Sequence, residues 1–278
     1  MELQQSPQYA RFVKLLGWQV EHVDGVNIFY RSIPLMGVLA KIQRNTKLPS
    51  VSAIKTFLAK QRVRSLSVEP AHHVDQQEFS RWLGKIKKVV KIYTSPFLPT
   101  KTISIDLTAS RDEIFQRLSE AKRRAVRRAQ KNNVTVRRSD QISDLIAIKN
   151  KSAGLFGFIT THGTKELWHV LGLEHTAILI AYSEKKKPIG GVYLIFWNRI
   201  AYYWIAGATR EGKKLFAPSL LVWEALKLAK ERGAKRFDFI GVWDERLPRQ
   251  NNSWKGFTKF KEGFGGNVLY YPIATLRK

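Results

Sequence analysis

The 278-residue sequence contains no cysteine. This absence excludes disulfides, thiolate metal ligands and cysteine nucleophiles. Acidic residues are few, with 22 Asp and Glu against 48 Lys and Arg, which gives a formal net charge of +26. Hydrophobic runs are short, and none approaches the roughly 20 residues that span a bilayer. The N-terminal stretch also lacks the charged-then-apolar layout of a signal peptide, so we expect a soluble, cytoplasmic protein.

Several catalytic motifs are missing as well. The six histidines form no HExxH or similar pair at ligand spacing with a carboxylate, so the sequence predicts no metal site. There is no G-x-S-x-G nucleophile elbow. Neither GxxxxGK[ST] nor GxGxxG occurs, which argues against the usual nucleotide phosphate loops.

The excess of positive charge predicts a polyanionic partner: nucleic acid, a nucleotide diphosphate or an anionic membrane surface. The strongest local cluster is "AKRRAVRRAQK", on a predicted helix. Its four arginines, Arg123, Arg124, Arg127 and Arg128, are candidates for phosphate binding, because a guanidinium can bind phosphate oxygens with two parallel hydrogen bonds. A solvated helix face is the equally weighted alternative.

The chain divides at the proline-containing stretch "IYTSPFLPTK", residues 92–101. The second half predicts a strand, one long helix from Ser110 to Asn132-Asn133, and an antiparallel meander built from "TAILIAYS", "PIGGVYLIFW" and "RIAYYWIA". A helix over "APSLLVWEALKLAKERG" and further strands follow. This order is typical of an α+β fold rather than a doubly wound parallel sheet.

A set of motifs in the second half carries a resemblance. The pieces are Tyr202-Tyr203 with Gly207, Pro218 with "WEA", "FDFIG" at 237–241 and "FKEGFGG" at 260–266. In this order they resemble the FemABX family, the aminoacyltransferases that build peptidoglycan interpeptide bridges from aminoacyl-tRNA. The similarity is specific from about residue 100 onward, and the opening "SPQYARFVKLLGW" is similar to the family's first helix.

The resemblance implies two acetyltransferase-like (GNAT) domains with mixed, largely antiparallel sheets flanked by helices. We place them at residues 1–98, a short N-terminal domain, and 99–278. It further implies transfer of an amino acid from aminoacyl-tRNA to the side-chain amine of a stem peptide, on either a UDP-linked muropeptide or a lipid-linked precursor. No acyl-CoA or other cofactor is implied, and "REGKKLFA" lacks the glycines of a CoA-binding loop. We expect a monomer, with peripheral contact to the inner membrane face left open.

The resemblance also assigns roles to individual residues. Lys261 falls at the family's catalytic lysine, where a fixed cation stabilises the tetrahedral oxyanion. Phe260 would line the pocket, and the adjacent Gly265-Gly266 would let the backbone approach a ligand. A surface lysine on an amphipathic segment is the alternative for Lys261.

Four further candidates for substrate binding follow from the same comparison. Lys14 falls where the family contacts the precursor's diphosphate, although a solvated lysine is almost equally plausible. Glu69, before a proline, could orient the acceptor amine, and a surface carboxylate at a strand end is the favoured alternative. Tyr202 and Tyr203 are most simply residues of an alternating strand, some of whose side chains belong to the core and some line the cleft.

One departure concerns the acceptor. Relatives that bind the UDP-muropeptide carry an arginine before the meander, whereas "SAGLFGFITTHGTKELW" has none, and His162 or Lys165 would have to substitute. Two other functions stay open: an acyl-CoA-dependent GNAT N-acyltransferase, and a non-catalytic RNA-binding protein on the same scaffold.

Overall fold

The computed structural model describes residues 1–153 and 161–274, and the chain forms two compact units. One comprises Met1–Lys101 together with Leu269–Lys278, and the other comprises Thr102–Val268. The sequence predicts a boundary after residue 98. The observed division differs chiefly in that the chain from Leu269 onward clusters with the first unit.

The first unit contains a five-stranded sheet in the order β1-β2-β3-β4-β5. The first three strands form an antiparallel meander, and β4 and β5 then add in parallel through helical crossovers. The elements are α1 (Pro7–Leu15), β1 (Gln19–Val23), β2 (Val26–Ile33), β3 (Gly37–Gln43), α2 (Val51–Lys60), β4 (Val63–Glu69), α3 (Gln76–Ile86) and β5 (Lys91–Ile92).

Alternation along β3 gives this sheet two different faces. Ala40 and Ile42 are fully buried in a hydrophobic core with Phe57 of α2 and Phe79 of α3. The residue between them, Lys41, points to the opposite face, where its Nζ lies 4.0 Å from the centroid of the Trp18 ring. The sheet therefore has an apolar face under two helices and a second face with buried polar groups.

The second unit contains a seven-stranded sheet in the order β12-β6-β11-β10-β9-β8-β7. Its first elements are β6 (Lys101–Asp106), α4 (Arg111–Arg117), α5 (Glu120–Lys131), β7 (Thr135–Ser139), α6 (Ile142–Ala153) and α7 (Thr164–Leu171). They are followed by β8 (Thr176–Tyr182), β9 (Pro188–Trp197), β10 (Ile200–Ala208), α8 (Arg210–Lys214), α9 (Ala217–Glu231), β11 (Arg236–Asp238), α10 (Lys255–Glu262) and β12 (Asn267–Tyr270).

The antiparallel meander predicted for this unit is confirmed, because β7, β8, β9 and β10 pair in sequence order. Helix α9 then crosses back, so that β11 pairs in parallel with β10. This repeats the β3-α2-β4 arrangement of the first unit. The predicted α+β class with GNAT-like, mixed sheets flanked by helices is confirmed.

The long helix predicted from Ser110 to Asn133 is wrong in one respect: it is two helices. Ser110 caps α4 with a complete capping box, but the chain leaves the helix at Leu118. Ser119 then caps α5, its side chain accepting the Lys122 N–H. The break rotates the second helix, so Ala121 is exposed, whereas Val126 and Ala129 face the core.

The helices of the described residues are all short. The longest of these, α9, has 15 residues. Within the two described ranges, 1–153 and 161–274, no helix has the length and apolar character needed to cross a membrane.

Candidate active site

The candidate site of the second unit lies where β10 and β11 stop pairing. The two strands share only three register pairs, ending at Tyr202 opposite Asp238, although β10 continues to Ala208. A β-bulge interrupts the pairing of β10 with β9 between Tyr203 and Ile205. Beyond this point residues 204–207 are half-buried. One edge of β10 is therefore uncovered next to the chain that follows β11.

Lys261 reaches this opening from α10. Its Nζ donates hydrogen bonds to the carbonyl oxygens of Phe239, at 2.9 Å, and Gly241, at 2.6 Å. It also lies 4.8 Å from the centroid of the Phe257 ring. Two of the three ammonium N–H groups are thus directed at carbonyls, which fixes the charge in place. The alternative of a surface lysine does not fit these contacts.

The carbonyls that hold Lys261 belong to a tightly turned segment. Asp238 is buried, and its Oδ1 accepts hydrogen bonds from Thr102 Oγ1, at 2.7 Å, and from the Ile240 N–H, at 2.5 Å. Ile240 takes a left-handed backbone conformation, with φ 67°. The carboxylate therefore braces the turn whose carbonyls bind the ammonium.

Burial lowers the pKa of Lys261 from 10.5 to about 8, with Asp238 opposing this shift and Lys149 adding to it. The folded state then binds this proton less tightly than the unfolded state does. Between pH 8 and 10.5 the unfolded chain retains the proton and the folded chain has lost it, so stability rises with pH in this window. Below pH 8 both states are protonated and the contribution is constant.

We therefore expect wild type to gain stability relative to Lys261→Met as the pH rises from 8 to 10.5, and no change in their difference between pH 6 and 7. The measurement is urea unfolding of both proteins, followed by tryptophan fluorescence, at four pH values. A difference that stays flat through pH 10 would show that the ammonium is solvated in the folded protein.

Two other lysines surround the same opening. Lys149, on α6, packs so closely on β10 that a Cβ added at Gly207 would lie 3.0 Å from its Cα. Burial lowers the pKa of Lys149, and the charge of Lys213 lowers it further. Lys149 also acts electrostatically on Lys261, where the buried Asp238 carboxylate opposes it, so cationic groups gather on this side of the sheet. An anionic ligand would relieve their repulsion.

The other predicted residues of this unit pack around the same aromatic core. Phe260 is half-buried, and Lys122 Nζ lies 3.9 Å from its ring centroid. Tyr203 is buried against Phe237 and Phe239 at centroid distances of 5.9 and 5.4 Å. Burial raises the pKa of Tyr203, so its hydroxyl stays protonated. Tyr202 is also buried and pairs with Asp238.

The glycine pair of "FKEGFGG" has a structural explanation that differs from the predicted one. Gly265 has φ 77°, and a Cβ added there would lie 3.0 Å from the Arg117 carbonyl oxygen. Gly266 has φ 97°, and a Cβ there would lie 2.7 Å from the Ser104 carbonyl oxygen. The neighbouring backbone, rather than a ligand, accounts for the close approach.

The four arginines of α5 have different surroundings. Arg123 donates to the carbonyls of Gln116, at 2.8 Å, and Leu118, so it caps the preceding helix. Arg124 forms an exposed ion pair with Glu120 at 3.2 Å. Arg127 and Arg128 are exposed and lie 5.7 and 5.6 Å from the ring centroids of Phe115 and Phe216, respectively.

The first unit holds the remaining candidates. Glu69 is buried at the end of β4, where its carboxylate accepts hydrogen bonds from Gln43 Nε2, at 3.0 Å, and from the Leu98 N–H, at 2.6 Å. The favoured interpretation of a surface carboxylate is therefore wrong. Lys14 is exposed in the last turn of α1.

Polar residues that sequence reasoning missed surround Glu69. Burial lowers the pKa of Lys41 to about 8, with the Glu69 charge opposing the shift. Gln43 Oε1 and Asn45 Oδ1 are buried with no hydrogen-bond partner among the described residues. The guanidinium of Arg44 lies 3.4 Å from the Tyr271 ring centroid. The alternation in "KIQRN" was the available signal, since it places 41, 43 and 45 on one face of a buried strand.

The structure also brings together three residues that no sequence motif connects. Potential ligand atoms of Glu2, His72 and His73 all lie within 4.8 Å of one another. The expected absence of a metal stays a prediction. Of the residues considered as substitutes for the missing arginine, His162 and Lys165 are exposed. The stretch "GLFGFIT", residues 154–160, lies outside the described residues.

Comparison with known proteins places this geometry in a family. The acetyltransferase (GNAT) domain family matches residues 115–256. No curated protein sequence matches the chain significantly.

Among solved structures, FemX superposes with a TM-score of 0.71 at 15% identity, covering 98% of this chain and 92% of FemX. The C-terminal domain of a protein assigned as a lysylphosphatidylglycerol synthetase from Agrobacterium fabrum gives 0.59 at 12% identity, covering 97% and 87% of the two chains. L-PGS from Bacillus licheniformis gives 0.56 at 15% identity, covering 94% and 86%.

The family match covers residues on both sides of the opening between β10 and β11 and extends over half of the sequence. The chain belongs to the acetyltransferase (GNAT) domain family, and its fold over the whole chain is FemX-like, as the sequence motifs predict.

Proposed function

We propose that this acyltransferase moves an amino acid from aminoacyl-tRNA to the stem-peptide side-chain amine of a peptidoglycan precursor. The observation that carries the proposal is the fixed position of the Lys261 ammonium. It stands at the position of the catalytic lysine in the FemABX resemblance, and its ammonium is held by two carbonyls beside an uncovered strand edge. The FemX-like fold supports the same assignment.

The chemistry requires little beyond a fixed cation and correct positioning. The neutral acceptor amine attacks the ester carbonyl carbon, a C–N bond forms, and the carbonyl oxygen becomes negative. The third N–H of Lys261 donates to that oxygen, and such a contact is worth far more in a desolvated site than in water. The C–O bond to the ribose then breaks, and the proton lost by the amine ends on the ribose oxygen. Because the ester is already activated, orientation contributes more than a strong base.

The electrostatics of the second unit suit a tRNA donor. Lys149 and Lys213 flank the opening, and Arg127 and Arg128 present exposed guanidiniums on α5. Arg123 and Arg124 contribute less, because the first caps a helix and the second is paired with Glu120. Phosphate contacts of this kind release counterions, so we expect tRNA binding to weaken steeply with salt.

An acyl-CoA-dependent N-acyltransferase is the second candidate, and the family's description favours it. The segment after β10 argues against it. A CoA diphosphate needs unpaired backbone N–H groups. Here the N–H of Gly212 donates to Thr209 Oγ1, that of Lys213 to the Thr209 carbonyl, and that of Leu215 to the Glu211 carbonyl. The segment is a closed helical turn, α8, rather than an open loop.

The deciding experiment offers wild-type protein a labelled amino acid on charged tRNA, with UDP-linked muropeptide, lipid-linked precursor or phosphatidylglycerol as acceptor, and acetyl-CoA in a parallel reaction. We expect transfer from tRNA to a precursor amine and no detectable acetyl transfer or CoA binding. Transfer to phosphatidylglycerol alone would replace the acceptor class and is the result that the synthetase-like neighbours would favour. Salt-dependent tRNA binding without any transfer would identify a binding protein.

A further inference from the structure

The tip of the β2–β3 hairpin is the most exposed apolar feature of the first unit. Leu35 is 101% exposed and Met36 is 60% exposed. The turn is closed by the Met36 N–H donating to the Ile33 carbonyl at 3.1 Å. With Pro34 at its second position and a left-handed residue at its third, it follows the pattern of a type II turn.

Leu35 is an unfavourable residue for this position. Its φ is 63°, in a region that glycine or asparagine occupies at low cost and a leucine does not. Its side chain also gains nothing from packing, since it is fully in solvent. A residue that is unfavourable for both backbone and solvation points to a function outside the fold.

The residues around the tip are basic. By register, Arg31, Leu39, Ser65 and Lys91 form one row across the sheet, so the starts of β3, β4 and β5 share the end at which the tip projects. The Arg64 side chain packs against Gly37 at the base of the hairpin. Arg31 Nη1 donates to the Leu16 carbonyl at 3.3 Å, which brings the end of α1 to the same place.

The four segments that converge here, 12–18, 30–39, 59–66 and 84–92, contain no Asp or Glu. Their nine basic residues are Lys14, Arg31, Lys60, Arg62, Arg64, Lys85, Lys87, Lys88 and Lys91. The nearby Glu21 pairs with Lys60 at 3.0 Å. Leu15, 63% exposed, and Val89, 51% exposed, add apolar surface within these segments.

We propose that this end of the first unit docks on an anionic lipid surface, with Leu35 and Met36 inserted among the headgroups and the surrounding lysines and arginines against the phosphates. The combination of an apolar tip and a basic rim fits a membrane better than RNA. Aliphatic side chains can neither stack on bases as aromatic rings do nor bind phosphates, but they can enter the apolar part of a lipid surface. Each basic residue near such a surface adds electrostatic attraction to the lipid phosphates, and insertion of the apolar tip removes Leu35 and Met36 from water.

Docking in this way limits which acceptor substrates can reach the Glu69 site, an argument that rests on the proposed function. Strand β4 begins beside the tip at Val63 and ends at Glu69, six residues further. At ~3.3 Å per residue the Glu69 site stands about 20 Å from the docking end. A precursor whose peptide extends from the lipid through a diphosphate and sugars can reach that height, whereas a phospholipid headgroup stays at the surface.

The absence of cysteine allows a site-specific test. Leu35→Cys is labelled with an environment-sensitive fluorophore, and Leu173→Cys, at an exposed leucine in the second unit, is the matched control. We expect a blue shift of the label at 35 with vesicles of phosphatidylglycerol and phosphatidylcholine, and none with phosphatidylcholine alone or with tRNA. The label at 173 should not respond.

Unlabelled variants supply a second measurement. Leu35→Asn with Met36→Ser should fold at least as well as wild type, because asparagine suits the left-handed position, and should bind anionic vesicles at least tenfold more weakly in co-sedimentation. Transfer to a soluble UDP-linked acceptor should be unchanged, which separates this proposal from the proposed function. An unshifted label at 35, an equal shift at 173, a response to tRNA or unchanged sedimentation of the double variant would each overturn docking.

Discussion

Replacing Lys261 with alanine is expected to lower kcat/KM for aminoacyl transfer by roughly 10²-fold or more, the scale of losing one oxyanion donor. The ammonium is already positioned by the carbonyls of Phe239 and Gly241 before substrate arrives. Its stabilisation of the negative oxygen therefore requires no reorganisation. The effect should appear in kcat/KM for the acyl donor, while tRNA affinity, which depends on other cations, should change less than threefold.

Two companion variants make this result specific. Lys259→Ala removes an exposed lysine from the same helix and should leave transfer within about twofold of wild type, because an exposed ammonium stabilises nothing in the site. Lys261→Arg retains the charge but not the geometry, since a planar guanidinium cannot direct compact donors at both carbonyls. It should therefore recover less than a tenth of wild-type activity. Full activity in Lys261→Ala, in protein that unfolds at the same urea concentration as wild type, would remove Lys261 from the mechanism.

The parts of the fold that could be predicted are the elements with a local sequence pattern. Alternating apolar residues identify the meander of β8, β9 and β10, and tight turns fix its antiparallel order. The break between α4 and α5 was missed although its signal is present. Ser119 caps the second helix, but Leu118 continues the apolar period across the break, so periodicity alone predicts one continuous helix.

Residues of the site could be predicted only where they belong to a recognisable sequence motif. "FKEGFGG" points to Lys261, yet the carbonyls that hold it lie about 20 positions earlier and carry no sequence signal, because every residue has a carbonyl. Lys41 was missed for a similar reason. A lysine on a strand is most simply a solvated one, and only the pairing of β3 between two neighbours shows that Lys41 is partly buried.

Buried backbone contacts are equally hidden from the sequence, and Gly212 gives the largest expected effect on stability. It lies in α8, and a Cβ added there would be 2.1 Å from the carbonyl oxygen of Ile189. That carbonyl cannot easily move, because it accepts the Thr209 N–H at 2.9 Å and the Ile189 side chain is fully buried. Gly212→Ala is therefore expected to lower the free energy of unfolding by roughly 3 kcal/mol or more, at the upper end for overpacking.

Gly84→Ala is the matched control, because it places the same methyl group in a helix where no atom beyond the helix's own backbone lies within 4 Å. It should stabilise the protein by up to ~1 kcal/mol through helix propensity.

Urea unfolding of both variants distinguishes two explanations of the glycine in "TREGKK". If it serves packing, Gly212→Ala loses stability, and neither CoA nor tRNA restores the difference. If it instead served a diphosphate, as glycines do in a nucleotide loop, Gly212→Ala would unfold like wild type and lose only ligand binding. In the first case the closed turn leaves Lys261 and its neighbouring cations, rather than a phosphate loop, to bind the acyl donor.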